Sequence, residues 1–346
     1  MGDLNRMKIK LSIIKFAWLG VLVLMLNARA ADPKLAQTGF QFLSVPTDAR
    51  VAALGEAFTA MNGGAMSVFY NPATMALSPA YMDFSLSYNQ WIADIVHYSG
   101  SIAFRPANGR YGTFAISMLS VDYGEFLGTV VDGSVESGYK PTDNFSPNAY
   151  SFGVAYAQQL SEQFAFGAHI KYTGQDLTSS LIPNPDGGEN ISKNYSESVL
   201  AFDFGTIYKT GFRSLAFGMS VRNFSEEVRF ESEGFQLPLI FNIGISMDVA
   251  DLFVPENSPH SLIIAADVNH PRAAPEQLMF GAEYLFMDIF ALRAGYHSDV
   301  DERDVSFGTG VSFDYGDRGG RIALDYAYTP FGVFDNVQRF SFNFAF

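Results

Sequence analysis

Five histidines, no cysteine and one dense acidic run are the side chains from which this sequence would have to build a metal site or a catalytic centre. His97, His169, His260, His270 and His297 stand apart, without the H-x-x-x-H or H-x-x-E-H spacing that puts two ligands on one helix face. The absence of cysteine removes thiolate ligands, thiol nucleophiles and disulfides. The run "DVDERD", with Asp299, Asp301, Glu302 and Asp304, lacks the turn glycine and ligand spacing of a calcium loop, and reads as a solvated loop. "NPDGGEN" (184–190) is turn chemistry. No G-x-S-x-G elbow is present, and no motif pairs the serines, histidines and aspartates that are there. The expectation is a chain with no metal, no cofactor and no catalysis.

The remaining chemistry lies in single charges set into apolar segments: Asp83, Lys171, Asp203, Arg222, Asp267, Glu283, Arg293 and Asp325. The elements that carry them are strands. In "MDFSLSYN" (82–89), Met82, Phe84, Leu86 and Tyr88 alternate with Asp83, Ser85, Ser87 and Asn89. "FAFGAHIKY" (164–172), "LAFGMSVR" (215–222) and "IALDYAY" (322–328) repeat the alternation. One face is large and aromatic, in keeping with 33 Phe and 17 Tyr; the other is Gly, Ala, Ser, Asn and isolated charge. That division suits a barrel whose large side chains meet lipid while the small and polar ones meet a lumen. Backbone groups must all be paired inside a bilayer, so a spanning sheet has to close.

Segments of this kind number about fourteen between residues 81 and 346, each near the ~9–11 residues a tilted strand needs to cross. The fold expected is all-β: a transmembrane antiparallel β-barrel of about fourteen strands. Even-numbered connections are short, except for 250–260. The odd-numbered ones at 122–148, 175–196 and 225–235 are long, which is the outer-membrane arrangement with short turns facing the periplasm. If the registers hold, the eight charges face the lumen, either as a polar path or as ion pairs to something inside it, with Asp48, Arg50 and Glu56 as partners. Tyr123, Phe126, Tyr139 and Phe145 in the longest connection are candidates for contact with a partner or for packing on one another.

Residues 1–30 read as a secretory signal peptide: Arg6, Lys8 and Lys10, an apolar run at 16–26, then Ala28 and Ala30 at the spacing of a cleavage site. The mature chain would carry a net charge of −18, unfavourable for a nucleic-acid partner. Residues 31–80 then form a hatch segment, and 81–346 the barrel. A barrel this wide is not filled by its own side chains, since eight strands already suffice for that. "TDARVAALGEAFTA" (47–60) starts at an N-cap, Thr47 or Asp48, and has Val51, Leu54 and Phe58 at helical spacing. The spacing predicts a short helix ending at Gly63-Gly64, followed by a turn at Asn71-Pro72.

"FLSVPTDARVAALGEAFTA" followed by "SVFYNPATMA" resembles the N-terminus of the PorV/PorQ family, within the wider FadL-like group of outer-membrane barrels. Asp48, Arg50, Gly55, Asn71, Pro72 and Ala73 carry the resemblance. It implies an outer-membrane component of the type IX secretion system, non-catalytic, whose partners are secreted cargo proteins, recognised by their C-terminal domain, or other secretion-system subunits. FadL-like barrels move hydrophobic molecules, so the alternative is a transporter of fatty acids or similar compounds across the outer membrane. The terminal aromatic Phe346 resembles the signal that the barrel-assembly machinery reads. Membrane lipid is the expected contact of the aromatic face.

Overall fold

The computed structural model describes residues 38–346, apart from 183, 185–187, 189, 232, 256–257, 299–302, 316–319 and 335. The signal-peptide expectation and most of the "DVDERD" run lie outside the described residues. Alternation of large and small side chains gives the fourteen strands of a barrel, beside two short two-stranded ribbons among the described residues: β1 (Met82–Gln90), β2 (Val96–Phe104), β3 (Thr113–Asp122), β4 (Asn148–Gln159), β5 (Phe164–Ile182), β6 (Ile191–Lys209) and β7 (Ala216–Ser225) form one half. β8 (Ile240–Asp248), β9 (His260–Pro271), β10 (Gln277–Phe286), β11 (Phe290–His297), β12 (Val305–Tyr315), β13 (Gly320–Thr329) and β14 (Val337–Ala345) form the other. Each pairs antiparallel with its sequence neighbour, and β1 pairs with β14, so the barrel is closed.

Inside and outside are divided as the alternation requires. On β3, Phe114, Ile116 and Met118 are exposed while Thr113, Ala115, Ser117 and Leu119 are buried. The eight charges expected in the lumen all lie on the inward face: seven are buried, and the Arg222 guanidinium bonds the Phe69 carbonyl of the enclosed N-terminal segment. The core therefore lies within the barrel. Val51, Leu54, Phe58, Met61 and Met66 pack against Met279 and Ala265. Val68, Ala73 and Met75 pack against Ala103, Ala115 and Ala155.

Two expectations need correction. The segment 175–196 is not a loop: β5 and β6 run on as a two-stranded ribbon to Ile182 and from Ile191, each 19 residues long. Beyond the bilayer neither face of a ribbon needs to be apolar, so the alternation that marks a spanning strand fades while the pairing continues. The helix is also shorter than its apolar spacing suggests. It covers only Ala49–Ala53, and Gly55 and Glu56 turn out of it with positive φ of 61° and 68°. An α-carbon substituent at Gly55 would lie 2.6 Å from the Tyr296 backbone, so contact with the wall, rather than Gly63-Gly64, ends the helix. Gly64–Phe69 and Pro72–Leu77 are 3-10 turns.

The last residue closes the sheet. Phe346 and Met82 exchange two backbone hydrogen bonds of 2.9 Å, and the Phe346 ring stacks with Phe84 at 6.2 Å. Deletion of Phe346 removes both bonds and that contact. The folded fraction in outer membranes, read as heat-modifiable migration on gels, is expected to fall several-fold, and Phe346→Tyr is expected to restore it.

Candidate functional site: the lumen segment and the long-loop face

The segment from Phe40 to Ala80 threads the lumen and is anchored by buried polar groups at successive points on the wall. Asp48 caps the short helix, accepting from the Val51 amide at 3.2 Å, and a second oxygen accepts from Ser87 on β1 at 3.3 Å. The Ala49 amide donates to Ser341 on β14 at 2.8 Å. Burial, and then Asp325 nearby, push the Asp48 carboxyl above its ordinary range.

Two residues on, Arg50 makes a bidentate pair with Glu283 of β10, at 2.7 and 2.8 Å. Its third donor reaches the Asn62 carbonyl at 2.8 Å. Glu283 is fully buried and also accepts from Arg293 of β11 at 2.5 Å; Arg293 in turn bonds Asp325 of β13 at 2.7 Å. A carboxylate without water needs such partners: removing one side of a buried pair costs about 3–5 kcal/mol.

Further along the segment, Glu56 pairs with Arg303 at 2.7 Å and approaches His297 at 3.4 Å. Burial pushes the Glu56 carboxyl up, but Arg303 and His297 outweigh it and hold the group at about 2. Its contribution is thus present above the usual carboxylate range and lost only as pH falls towards 2. Arg303 and Arg339 both lie over the Trp91 ring, at 5.8 and 5.3 Å. Asp267 of β9 accepts the Phe58 and Thr59 amides at 3.0 and 2.8 Å. Asn71 caps the next turn, accepting from Ala73 at 3.1 Å, while its amide reaches the Thr59 carbonyl at 2.7 Å and that of Thr206 on β6 at 3.1 Å. Pro72 then starts a turn whose first amide would have no partner in any case. Asp48, Arg50, Gly55, Asn71, Pro72 and Ala73 thus share one lumen-filling segment.

Wall glycines permit this close fit. A β-carbon added at Gly295 would lie 1.9 Å from the Gly55 nitrogen, and one at Gly218 would lie 2.3 Å from the Thr59 oxygen. Sequence reasoning saw small inward residues but could not say which of them faced backbone. The space left is a cavity of about 350 Å³ lined by Arg50, Asp83, Arg293, Arg321, Asp325 and Asn343 among others, at the short-turn end. Met66, Leu285, Val311 and Phe344 share that lining, but the arginines and carboxylates that reach it are more charge than a site for a hydrophobic solute needs.

One constellation escaped the sequence. Ser117 on β3 and Nε2 of His169 on β5 are 2.8 Å apart, and His169 Nδ1 lies 2.8 Å from Asp203 on β6. The imidazole crosses the intervening strand at Gly153, where a β-carbon would lie 2.1 Å from Nε2. No motif could signal this, because the three residues come from three strands. The spacing is that of an acyl-transfer triad, but the surroundings oppose that chemistry. Lys171 bonds the same Asp203 oxygen at 2.8 Å and neutralises it. The space beside His169 is about 30 Å³, too small for an ester or peptide group. The neighbouring backbone amides belong to the strand ladder, which leaves no pair of donors for an oxyanion. The cluster ties the wall to itself and, through Asn223 and the Pro238 carbonyl at 2.9 Å, to the connection after β7. Among the described residues, no group of three His, Asp or Glu side chains is placed to hold a metal ion.

At the long-loop end the four candidate aromatics separate. Phe126 and Phe145 stack on each other at 5.7 Å across paired backbone, and Tyr123 packs by the buried Leu119 and Val121. Tyr139 is exposed on a small ribbon, Thr129–Val131 with Tyr139–Pro141. Leu127 and Val131 on the same connection are 68% and 74% exposed, more so than any of the four aromatics.

The chain has no native cysteine, so a cysteine at buried Ala57 gives a clean reporter of the lumen segment. It is expected to resist a membrane-impermeant maleimide in the otherwise native protein. Arg50→Ala, which strands Glu283 beside Arg293 alone, or Gly295→Val should raise its labelling rate at least about tenfold, as loss of an anchor worth a few kcal/mol requires.

The family model for type IX secretion system protein PorV matches residues 28–212, and that for type IX secretion system membrane protein PorP/SprF matches residues 139–333. No curated protein matches the sequence. Among solved structures, the CymD monoaromatic hydrocarbon channel aligns with a TM-score of 0.55 at 13% identity, covering 87% of this chain and 98% of its own. The Pseudomonas putida toluene transporter TodX aligns at 0.55 and 12% identity, covering 90% and 98%. A Pseudomonas aeruginosa FadL homologue aligns at 0.51 and 13% identity, covering 87% and 98%. At such identities these structures share the fold and nothing finer. With a FadL-like outer-membrane barrel built around an N-terminal segment, and a family match over more than half its length, the chain belongs to the PorV family of type IX secretion system proteins.

Proposed function

We propose that this barrel acts in type IX secretion as a non-catalytic binding component. In this reading it holds the C-terminal domain of exported cargo, or a partner of the attachment complex, on its long-loop face. Residues 31–80 act as a hatch that keeps the lumen shut, and the aromatic outer face sits in membrane lipid. Phe346 serves the barrel-assembly machinery. The observation that carries the reading is the filled lumen. Arg50, Glu56, Asn71 and the amides at 58 and 59 are all engaged with the wall or the connection after β11, so binding is left to the loops.

Charge supports the same face. The segments 122–147, 175–198 and 226–239 hold thirteen acidic side chains against three basic ones. The connections at the opposite end hold five against four. Such a field speeds encounter with a basic partner. A FadL-like transporter would instead want an apolar lumen pocket and a break in the wall. The lumen cavity here is crossed by arginine and carboxylate side chains among its apolar ones, and the strand order is closed.

A tagged copy solubilised gently from outer membranes of its own host is expected to bring down exported proteins that share one C-terminal domain, or other secretion-system subunits, identified by mass spectrometry. A barrel that comes down alone with a lipid-like ligand would reverse the choice in favour of hydrophobic-solute transport.

A further inference from the structure

Two strands run well past their neighbours. β4 last pairs with β5 at Asn148 and Asp176, and β7 last pairs with β6 at Ser225 and Ala201. Beyond these points β5 and β6 pair only with each other. Among the described residues, no strand pairs with the outer edge of Ile191–Leu200. Ten extended residues give an edge about 33 Å long. Roughly half of its N–H and C=O groups point away from β5.

Exposed edges are usually blunted by proline, a bulge or a free lysine. Ile191–Leu200 contains no proline, and the irregularity in the ribbon, at Asp176–Ser179, belongs to the other strand. Its one lysine, Lys193, is ion-paired with Glu231 of the connection after β7. That connection lies alongside without joining the ladder. On one face of the strand Ser192, Asn194, Ser196 and Ser198 are small and exposed, leaving room for side chains of an added strand.

A row of open backbone groups is matched by one kind of ligand, another extended polypeptide backbone. The thirteen-to-three acidic excess of the surrounding segments selects its charge. We propose that the Ile191–Leu200 edge is a β-augmentation site for an extended, lysine- or arginine-rich segment of a protein partner. The proposal rests on the partner-binding reading above and names where and how the partner is held.

The test uses the full-length barrel in detergent and a fluorescent peptide of alternating lysine and threonine, ten residues long, with binding read by anisotropy. The same peptide N-methylated at alternate residues keeps its charge but cannot pair. A glutamate–threonine peptide keeps the pairing but reverses the charge. A barrel lacking residues 176–196, with the ribbon rejoined through Gly-Gly between the paired Gln175 and Glu197 and shown to be folded by heat-modifiable migration, lacks six of the ten edge residues. Each change is expected to weaken binding at least about tenfold, equivalent to about one net hydrogen bond to the edge. Equal binding of the N-methylated peptide, undiminished binding by the shortened barrel, or no binding of the lysine peptide at all would overturn the proposal. Recovery of secretion partners by the shortened barrel would leave the broader reading standing and remove only this edge.

Discussion

A fully buried carboxylate, Glu283, held between Arg50 of the lumen segment and Arg293 of the wall, is the interaction on which the rest of the structure depends. Fourteen strands close a cylinder too wide for its own side chains to fill. The chain fills it by folding residues 40–80 inwards, and a segment with so little regular structure needs fixed points. Arg50 supplies the strongest, because its planar fork meets Glu283 with two parallel bonds. Asp267 and Asn71 repeat the principle with neutral donors, by satisfying backbone amides and carbonyls that no helix or sheet would otherwise satisfy. The pairs bring specificity of position more than stability: an apolar filler would hold as firmly, but in many registers.

With the lumen occupied, the two ends of the barrel become chemically unequal. The short-turn end is near neutral and opens on a small charged cavity. The long-loop end is strongly acidic, carries exposed Leu127, Val131 and Tyr139, and projects the β5–β6 ribbon. The long-loop end also holds the start of the lumen segment. Thr38 pairs with Gln236, and Phe40 lies among Phe42, Phe230 and Phe235, so the start of the lumen segment is clasped by the connection after β7. A partner that engages this connection touches the segment's entry point as well.

Much of this is legible in the sequence. Period-two alternation in segments such as 82–89 and 164–172 needs only the contrast between lipid and lumen, and it fixed the strand number, the closure and the inward direction of Asp267, Glu283 and Asp325. The cap at Asp48 was legible too, since capping is a local matter. What failed was non-local. The helix stops at Leu54 because the wall at Tyr296 forces Gly55 to turn, and nothing near residue 55 announces that. The ribbon of 176–196 escaped because, outside the membrane, hydrophobic pattern no longer reports pairing. The Ser117, His169 and Asp203 cluster escaped because it needs the side-by-side register of four strands and the gap at Gly153.

The most direct measurement is single-channel conductance of the purified native barrel in a planar lipid bilayer, beside a variant in which Arg50 and Glu283 are both alanine. If buried charge holds the segment as a closed hatch, the native protein is silent at moderate voltage and the double variant shows discrete openings. Steady conductance from the native protein would contradict this, because it would mean that ions pass a lumen segment anchored at Glu283.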